Sequence, residues 1–339
     1  MKICFVSNLA MKGYRSSGLV YALEQQGLIL EELGLPESGY LPTDLRSIIW
    51  IIKRRECVWL ITYPNNRFVF LLKTLGCKTI VLDAGWPVSD FSFERDFGHL
   101  RTTLKKLRWF LFDYLTFKLS NKVLLESQAQ VEYCLKYLRC PKRKLFVVPT
   151  TLDEEKHRVP SSVELYDQFT ILFRGRYNPE SGVEVFLELA KCLRNEPFRF
   201  LLLCPNLPDD YELGPNVILD RTFHTQAELG VFNRRSHLVL GQLSSHPRLE
   251  RTVPHRAVEA AYSGSIFVSA RNRAISEFFV EGEDCLMFNP GCVQELSKIV
   301  IQVHQKYKDY GYLRKNIQNT YQTKFSPKAI TDMFFDIFV

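Results

Sequence analysis

Phe169-Thr-Ile-Leu-Phe173 runs into Arg174-Gly-Arg-Tyr-Asn-Pro-Glu-Ser-Gly182, and then into a segment carrying Val183, Val185, Phe186, Leu189 and Leu193. A short apolar run closed by a Gly/Pro turn reads as a buried strand, and the spacing that follows reads as an amphipathic helix. The turn sets Arg176 and main-chain N–H groups at a helix start, an arrangement suited to a diphosphate. Taken alone, the stretch also fits Arg174 and Arg176 as solvated loop charges, with glycines that serve only the turn.

The same alternation extends in both directions. Towards the N-terminus, residues 3–6, 58–62, 79–82, 122–125 and 145–148 read as buried strands with helical stretches between them, and residues 13–18 as a Gly- and Ser-containing loop before a helix over 19–26. Towards the C-terminus, strands are expected at 200–203, 217–219, 237–240 and 265–269, with helices near 225–233 and at 254–263. Short apolar strands separated by helices make a parallel sheet covered on both faces, an α/β architecture. Residues 151–168 turn polar, with Asp153-Glu-Glu155 and Pro160-Ser-Ser162. The expectation is therefore two doubly wound, Rossmann-like domains, over 1–155 and 165–320, with an interdomain cleft at the carboxyl ends of their strands.

Composition narrows the class. With 46% hydrophobic and 24% charged residues in 339, the chain is ordinary globular protein, which excludes disorder and fibrous repeats. The net charge of +7 favours anionic partners: sugar nucleotides, phospholipid surfaces or polyanions. The basic residues are dispersed and no nucleic-acid motif accompanies them, so no nucleic-acid partner is expected. The nine cysteines form no CxxC pair and no His/Cys cluster at metal spacing; Cys4, Cys204 and Cys285 read as small buried hydrophobes. No apolar run reaches the ~18–20 residues that span a bilayer, and no secretory pattern opens the sequence, so a cytoplasmic location is the expectation.

A second motif carries more chemistry: His246-Pro-Arg-Leu-Glu-Arg-Thr-Val-Pro-His-Arg-Ala-Val-Glu-Ala-Ala-Tyr-Ser-Gly264, followed by Glu277-Phe-Phe-Val-Glu-Gly282. A loop here delivers polar groups and amides to a helix N-terminus, and Gly264 ends the helix. Glu259, in the first turns, has the two acceptor oxygens that match a pair of ribose hydroxyls.

Together these motifs resemble the C-terminal half of the retaining GT-B glycosyltransferases of family 4. They are Gly-Arg-x-x-Pro-Glu-x-Gly-Val, Pro-x-x-x-x-Glu-Ala-x-x-x-Gly and Glu-Phe-Phe-Val-Glu-Gly-Glu-Asp-Cys-Leu. Val147-Val-Pro-Thr-Thr-Leu-Asp153 resembles the family's interdomain segment, and residues 321–339 its last helix, which packs back on the N-terminal domain. The resemblance implies a hexosyl-type transferase that moves a sugar from a nucleotide-sugar donor to a glycan or lipid-linked acceptor, with retention and without a metal. Arg176 matches the family's diphosphate arginine and Glu259 its ribose glutamate. Two positions depart: Ser181 stands where the family has a lysine, and Arg251 where it has a glutamate, with Glu250 one place earlier. Arg251 and Arg174 are then expected to replace the missing cation, while Glu250 or the amides around Thr252, Val253 and His255 hold the donor sugar. The departures keep open a noncatalytic sugar-nucleotide-binding relative, and a sugar-nucleotide epimerase is a further alternative.

In the N-terminal half, Leu82-Asp-Ala-Gly-Trp-Pro-Val-Ser-Asp90 follows a strand where the family has a histidine facing the reaction. Asp83 and Asp90 are the catalytic candidates there, and Asp83 equally fits a loop-capping role. Ser16-Ser-Gly18 is similar to the family's glycine-rich loop, which makes Gly18 a diphosphate candidate. Residues 101–122 mix Arg101, Lys105, Lys106, Arg108, Lys118 and Lys122 with Leu104, Leu107, Leu111 and Leu115. Such a helix fits either a face packed on the sheet or a seat on an anionic membrane surface, at the inner side of the membrane.

Overall fold

The computed structural model describes residues 2–8, 13–35, 44–92, 99–160 and 162–338. The chain divides into two compact units, Met1–Asp153 with Ser326–Val339, and Glu154–Phe325.

Unit 1 is built on six parallel strands: β1 (Lys2–Asn8), β2 (Ile29–Leu35), β3 (Val58–Thr62), β4 (Thr79–Gly85), β5 (Lys122–Leu125) and β6 (Leu145–Val147). They lie in the order β2-β1-β3-β4-β5-β6. Successive residues serve opposite faces of the sheet, so each strand needs apolar side chains on both. Ile61, Leu82 and Val123 pack on one side with Phe68, Leu72, Phe117 and Val131. Leu60, Val81 and Leu124 pack on the other with Leu19 and Leu23. The connecting helices are α1 (Tyr14–Gln25), α2 (Leu45–Lys53), α3 (Phe68–Thr74), α4 (Val88–Ser92), α5 (His99–Leu119) and α6 (Gln128–Tyr137).

Unit 2 carries β7 (Phe169–Arg174), β8 (Phe198–Leu203), β9 (Val217–Asp220), β10 (Leu238–Leu240), β11 (Phe267–Ala270) and β12 (Leu286–Phe288). Their order is β12-β11-β10-β7-β8-β9, again all parallel. The order reverses between β7 and β10, the switch point at whose carboxyl side such sheets bind ligands. Its helices are α7 (Val183–Cys192), α8 (Gln226–Arg235), α9 (His255–Ser263), α10 (Arg273–Ser276), α11 (Val293–Gln305) and α12 (Gly311–Thr320). Their ends are set locally: Thr225 and Glu228 form a capping box on α8, and Gly264, at φ 67°, closes α9.

The chain then returns to unit 1. Residues 321–325 form a single π turn within unit 2, where the Tyr321 hydroxyl meets Glu154 Oε1 at 2.8 Å. Ser326 caps a new helix, α13 (Pro327–Asp336), whose Ile330 and Phe334 complete the α1 side of the unit 1 core. The expected single helix over 321–339 is thus two elements in two units. Strands β2 and β12 were not expected either, because β2 is interrupted by Glu31-Glu32 and β12 has only three residues.

Residues 13–18 are a correction of the same kind. Helix α1 starts at Tyr14, so Ser16, Ser17 and Gly18 are helical and form no phosphate loop. A glycine is needed for a different reason: a Cβ at Gly18 would stand 2.2 Å from the Thr151 carbonyl oxygen. Gly18→Ala should therefore destabilise the protein by about 1–3 kcal/mol, although alanine is the better helix former. Urea unfolding of the two proteins measures it.

Helix α5 also departs from the reading in which its leucines pack on the sheet. Leu104, Leu107, Leu111 and Leu115 are 61%, 53%, 47% and 42% exposed, while Asp113, Thr116 and Phe117 turn inward. The Asp113 carboxylate accepts the Ser89 N–H at 2.6 Å, which draws that face of the helix towards α4. The side chain of Arg101, part of the expected basic face, lies outside the described residues. No helix among the described residues is long and apolar enough to cross a membrane.

His237 precedes β10 and accepts the Thr170 N–H through Nδ1 at 3.1 Å, packed against Phe169 and Tyr307. Burial, with Arg314 and His304 adding to it, lowers its pKa to about 4. The unfolded chain binds this proton near pH 6.5, so stability is retained above that and declines as pH falls towards 4. The loss should be on the order of 2 kcal/mol. His237→Asn, which keeps the acceptor, should flatten that slope in unfolding measured from pH 7 to 4.5.

Candidate functional site

The β7–α7 turn is locked by its own side chains. Asn178 Oδ1 accepts the N–H groups of Glu180 and Ser181, at 3.0 and 2.8 Å. Ser181 Oγ donates to the Asn178 carbonyl at 2.9 Å. Gly182 takes φ 77°, and a Cβ there would lie 2.7 Å from both Leu243 Cβ and the Ser244 nitrogen. Asn206 clamps Tyr177 from β8's side, accepting its N–H at 2.8 Å and donating to its carbonyl at 3.2 Å. Arg176 projects from this rigid turn into solvent and makes no hydrogen bond or ion pair among the described residues. Ser181 is buried as a turn former, so the position supplies no cation.

Glu259 lies on α9 and is 2% exposed. Its Oε2 accepts a hydrogen bond from Arg174 Nη2, and Arg174 is the last residue of β7. Its Oε1 faces His255 Nδ1 at 3.2 Å and His157 Nε2 at 3.6 Å, and completes no hydrogen bond of good geometry. Burial pushes this carboxyl up, but Arg174 and the two histidines outweigh it and hold Glu259 well below the usual carboxylate range. His255 moves the other way, lowered by burial against the pull of Glu259. Arg256 ties the assembly to the strand end: its Nη1 donates to the Arg174 carbonyl at 2.6 Å, and its guanidinium lies 4.8 Å from the Phe173 ring centroid. The result is a carboxylate held ionised between Arg174 and two histidines, beside the strand end that leads to Arg176.

His157, His255 and Glu259 bring ligand atoms within 4.8 Å of one another, the only such trio among the described residues. The Arg174 guanidinium pairs with the other oxygen of that carboxylate. Arg174, expected to share in replacing the missing lysine, is paired with Glu259 in this structure.

The segment before α9 distributes the other expected donor residues. Pro247–Arg251 is a 3-10 turn in which Arg248 is buried and pairs with Glu180 at 2.5 Å. Glu250 is exposed, and its Oε2 accepts the Arg273 N–H at 3.3 Å. Arg251 is half-buried at the end of the turn. The Thr252 N–H donates to the Leu249 carbonyl at 3.2 Å, and Pro254 has none, which narrows the expected amide contacts to Val253 and His255.

In unit 1 the two aspartates are placed apart from solvent. Asp83, at the end of β4, is buried, and its Oδ1 accepts from Arg15 Nε at 2.8 Å and Nη2 at 2.6 Å. Arg15 continues to the Val148 carbonyl at 2.8 Å and to Thr150 Oγ1 at 3.2 Å, and Thr150 donates to Glu126 Oε1 at 3.1 Å. Burial raises the Asp83 pKa against the opposing Arg15 charge. Asp90 is likewise buried and accepts from Gln130 Nε2 at 3.4 Å. This places Asp83 as the anchor of Arg15 in unit 1. Gly18 belongs to the helix that carries Arg15, against Thr151.

Two parallel six-stranded sheets, each in its own doubly wound unit, define the GT-B fold. The comparisons agree with that class: residues 184–335 match the family described as "Glycosyl transferase-like". No curated protein sequence matches. Among solved structures, the chain is similar to Anabaena HepE in complex with UDP, with a TM-score of 0.73 and 16% identity over 100% of this chain and 99% of that one. It is similar also to sucrose-phosphate synthase from Thermosynechococcus elongatus, with a TM-score of 0.71 and 12% identity over 99% and 98%. A third is the UDP-forming α,α-trehalose-phosphate synthase from Burkholderia vietnamiensis, with a TM-score of 0.65 and 12% identity over 99% of each chain.

Proposed function

We propose that this protein is a glycosyltransferase that moves a hexose from a nucleotide-sugar donor to a glycan or lipid-linked acceptor, with retention and without a metal. The observation that carries it is the placement, near the switch point of unit 2, of an ionised buried Glu259 and of an exposed Arg176 that has no partner among the described residues and stands on a rigid turn. Glu259 Oε1 would accept a ribose hydroxyl, and Arg176 would fork onto the diphosphate and meet the charge that develops as it leaves. The match to a glycosyl transferase-like family over 184–335 supports the same reading. HepE was solved with UDP and with UDP-glucose, which makes uridine diphosphate hexoses the first donors to try.

Arg251, half-buried at the end of the turn before α9, is the residue we assign to replace the lysine absent at Ser181. Arg251→Ala should lower kcat by about 10²-fold with a smaller change in KM. Turnover within threefold of the unsubstituted protein would remove Arg251 from the reaction. The function is tested by thermal shift with a panel of sugar nucleotides, followed by NMR of the product anomer. Stabilisation by none of them, or binding without transfer or hydrolysis, would count against an enzyme, and an inverted product against retention.

A further inference from the structure

Unit 1 holds a cavity of about 720 Å³, well inside the ~300–1,000 Å³ range of small-molecule sites. Tyr63 and Pro64 line it directly after β3, and Val88 lines it just past β4, so it opens at the carboxyl edge of the sheet. Its other wall is the exposed stripe of α5, Leu104, Leu107, Leu111 and Leu115, with Phe70 and Phe112. Two further features make it more than an apolar groove. Asn66 lines the cavity at 1% exposure, and among the described residues neither its Oδ1 nor its Nδ2 has a hydrogen-bond partner. A buried amide with both ends unmet is costly unless a ligand meets it. Arg67 and Arg108 also line the cavity, and among the described residues no carboxylate does.

An apolar wall, an open amide and two guanidinium groups fit one chemistry, a hydrocarbon chain that ends in an anionic headgroup. We propose that this cavity binds the lipid end of an amphiphilic acceptor. The chain lies along the α5 leucines, and the phosphate at its end meets the Asn66 amide with Arg67 and Arg108. The assignment of the bound amphiphile as acceptor rests on the sugar-transfer reading; its binding does not.

The test uses the full chain and single-chain alkyl phosphates below their micelle concentrations, followed by calorimetry. One octyl, decyl or dodecyl phosphate should bind per chain, roughly fourfold tighter for each added methylene. Leu107→Glu and Leu111→Glu, both at exposed positions, should weaken dodecyl phosphate at least tenfold with an unchanged Tm. Asn66→Leu should keep the chain-length dependence and lose the preference for dodecyl phosphate over dodecanol. If that variant does not fold, the leucine variants decide. The proposal is overturned by inorganic phosphate competing as well as dodecyl phosphate, by equal binding to the glutamate variants, or by binding to phosphatidylglycerol vesicles with none to the monomeric amphiphile. Loss of amphiphile binding with sugar-nucleotide binding intact would sink this inference alone. Amphiphile binding with no sugar nucleotide bound would sink the transfer reading alone.

Discussion

Arg176→Ala is expected to lower kcat/KM by about 10²–10³-fold while leaving the fold untouched. The side chain is exposed and makes no bond among the described residues, so its removal breaks nothing in the unliganded protein. What it removes is a planar fork of donors aimed from a turn that Asn178, Gly182 and Asn206 hold rigid. Most of the loss should fall on kcat, because the diphosphate gains charge as the glycosidic bond opens. Arg176→Lys should recover part of the rate, since it restores the charge without the bidentate geometry. Steady-state kinetics with the best donor, beside a thermal melt, measures both. A kcat/KM within threefold of the unsubstituted protein would assign the diphosphate to other groups.

Glu259→Gln should do the opposite, and harm folding as well as binding. It leaves Arg174, 25% exposed, beside Arg256 and two histidines without its carboxylate partner, a change expected to cost about 1–3 kcal/mol. Removing both partners in Arg174→Met/Glu259→Met should restore most of the stability and none of the nucleotide affinity. The pH dependence has a definite sign. Glu259 titrates well below its unfolded value, so its contribution is present above the unfolded pKa, near 4.3, and disappears as pH falls through the folded one. His255, lowered by burial, adds a loss that begins below about pH 6.5. Unfolding of the single variant should therefore lack the acid limb expected of the parent as pH falls below the unfolded pKa of Glu259. A Glu259→Gln protein as stable as the parent at pH 7 would mean that the pair is not worth keeping for the fold.

The strands were the most legible part of the fold, for a physical reason. A strand buried on both faces must be apolar throughout, and Val58–Thr62 and Lys122–Leu125 could be read to the residue. Ile29–Leu35 carries Glu31 and Glu32 at the sheet edge, and no run marks it. At the site, Arg176 and Glu259 were legible because a turn and a helix start impose short-range patterns. Their neighbours were not. Arg174 finds Glu259 across 85 residues of chain, and His157 reaches it from a stretch that reads only as polar linker. The spacing of His255 and Glu259, one helical turn apart on α9, was the one available signal of the histidine contact. Gly18 misled because a glycine demanded by a neighbouring carbonyl looks the same in sequence as one demanded by a phosphate.

The return of α13 to unit 1 has a consequence for how the protein is made. Ile330, Phe334 and Ile337 fill the core beside Ile3, Phe5 and Leu19, and Thr331 Oγ1 donates to the Ala22 carbonyl at 2.9 Å. On the ribosome, the sheet of unit 1 emerges first and then waits while the roughly 170 residues of unit 2 are synthesised, about 10–35 s at usual elongation rates. Unit 2 is continuous in sequence and can finish first. The nascent N-terminal half meanwhile keeps an apolar face uncovered, and is the stage at which a chaperone would find most to hold.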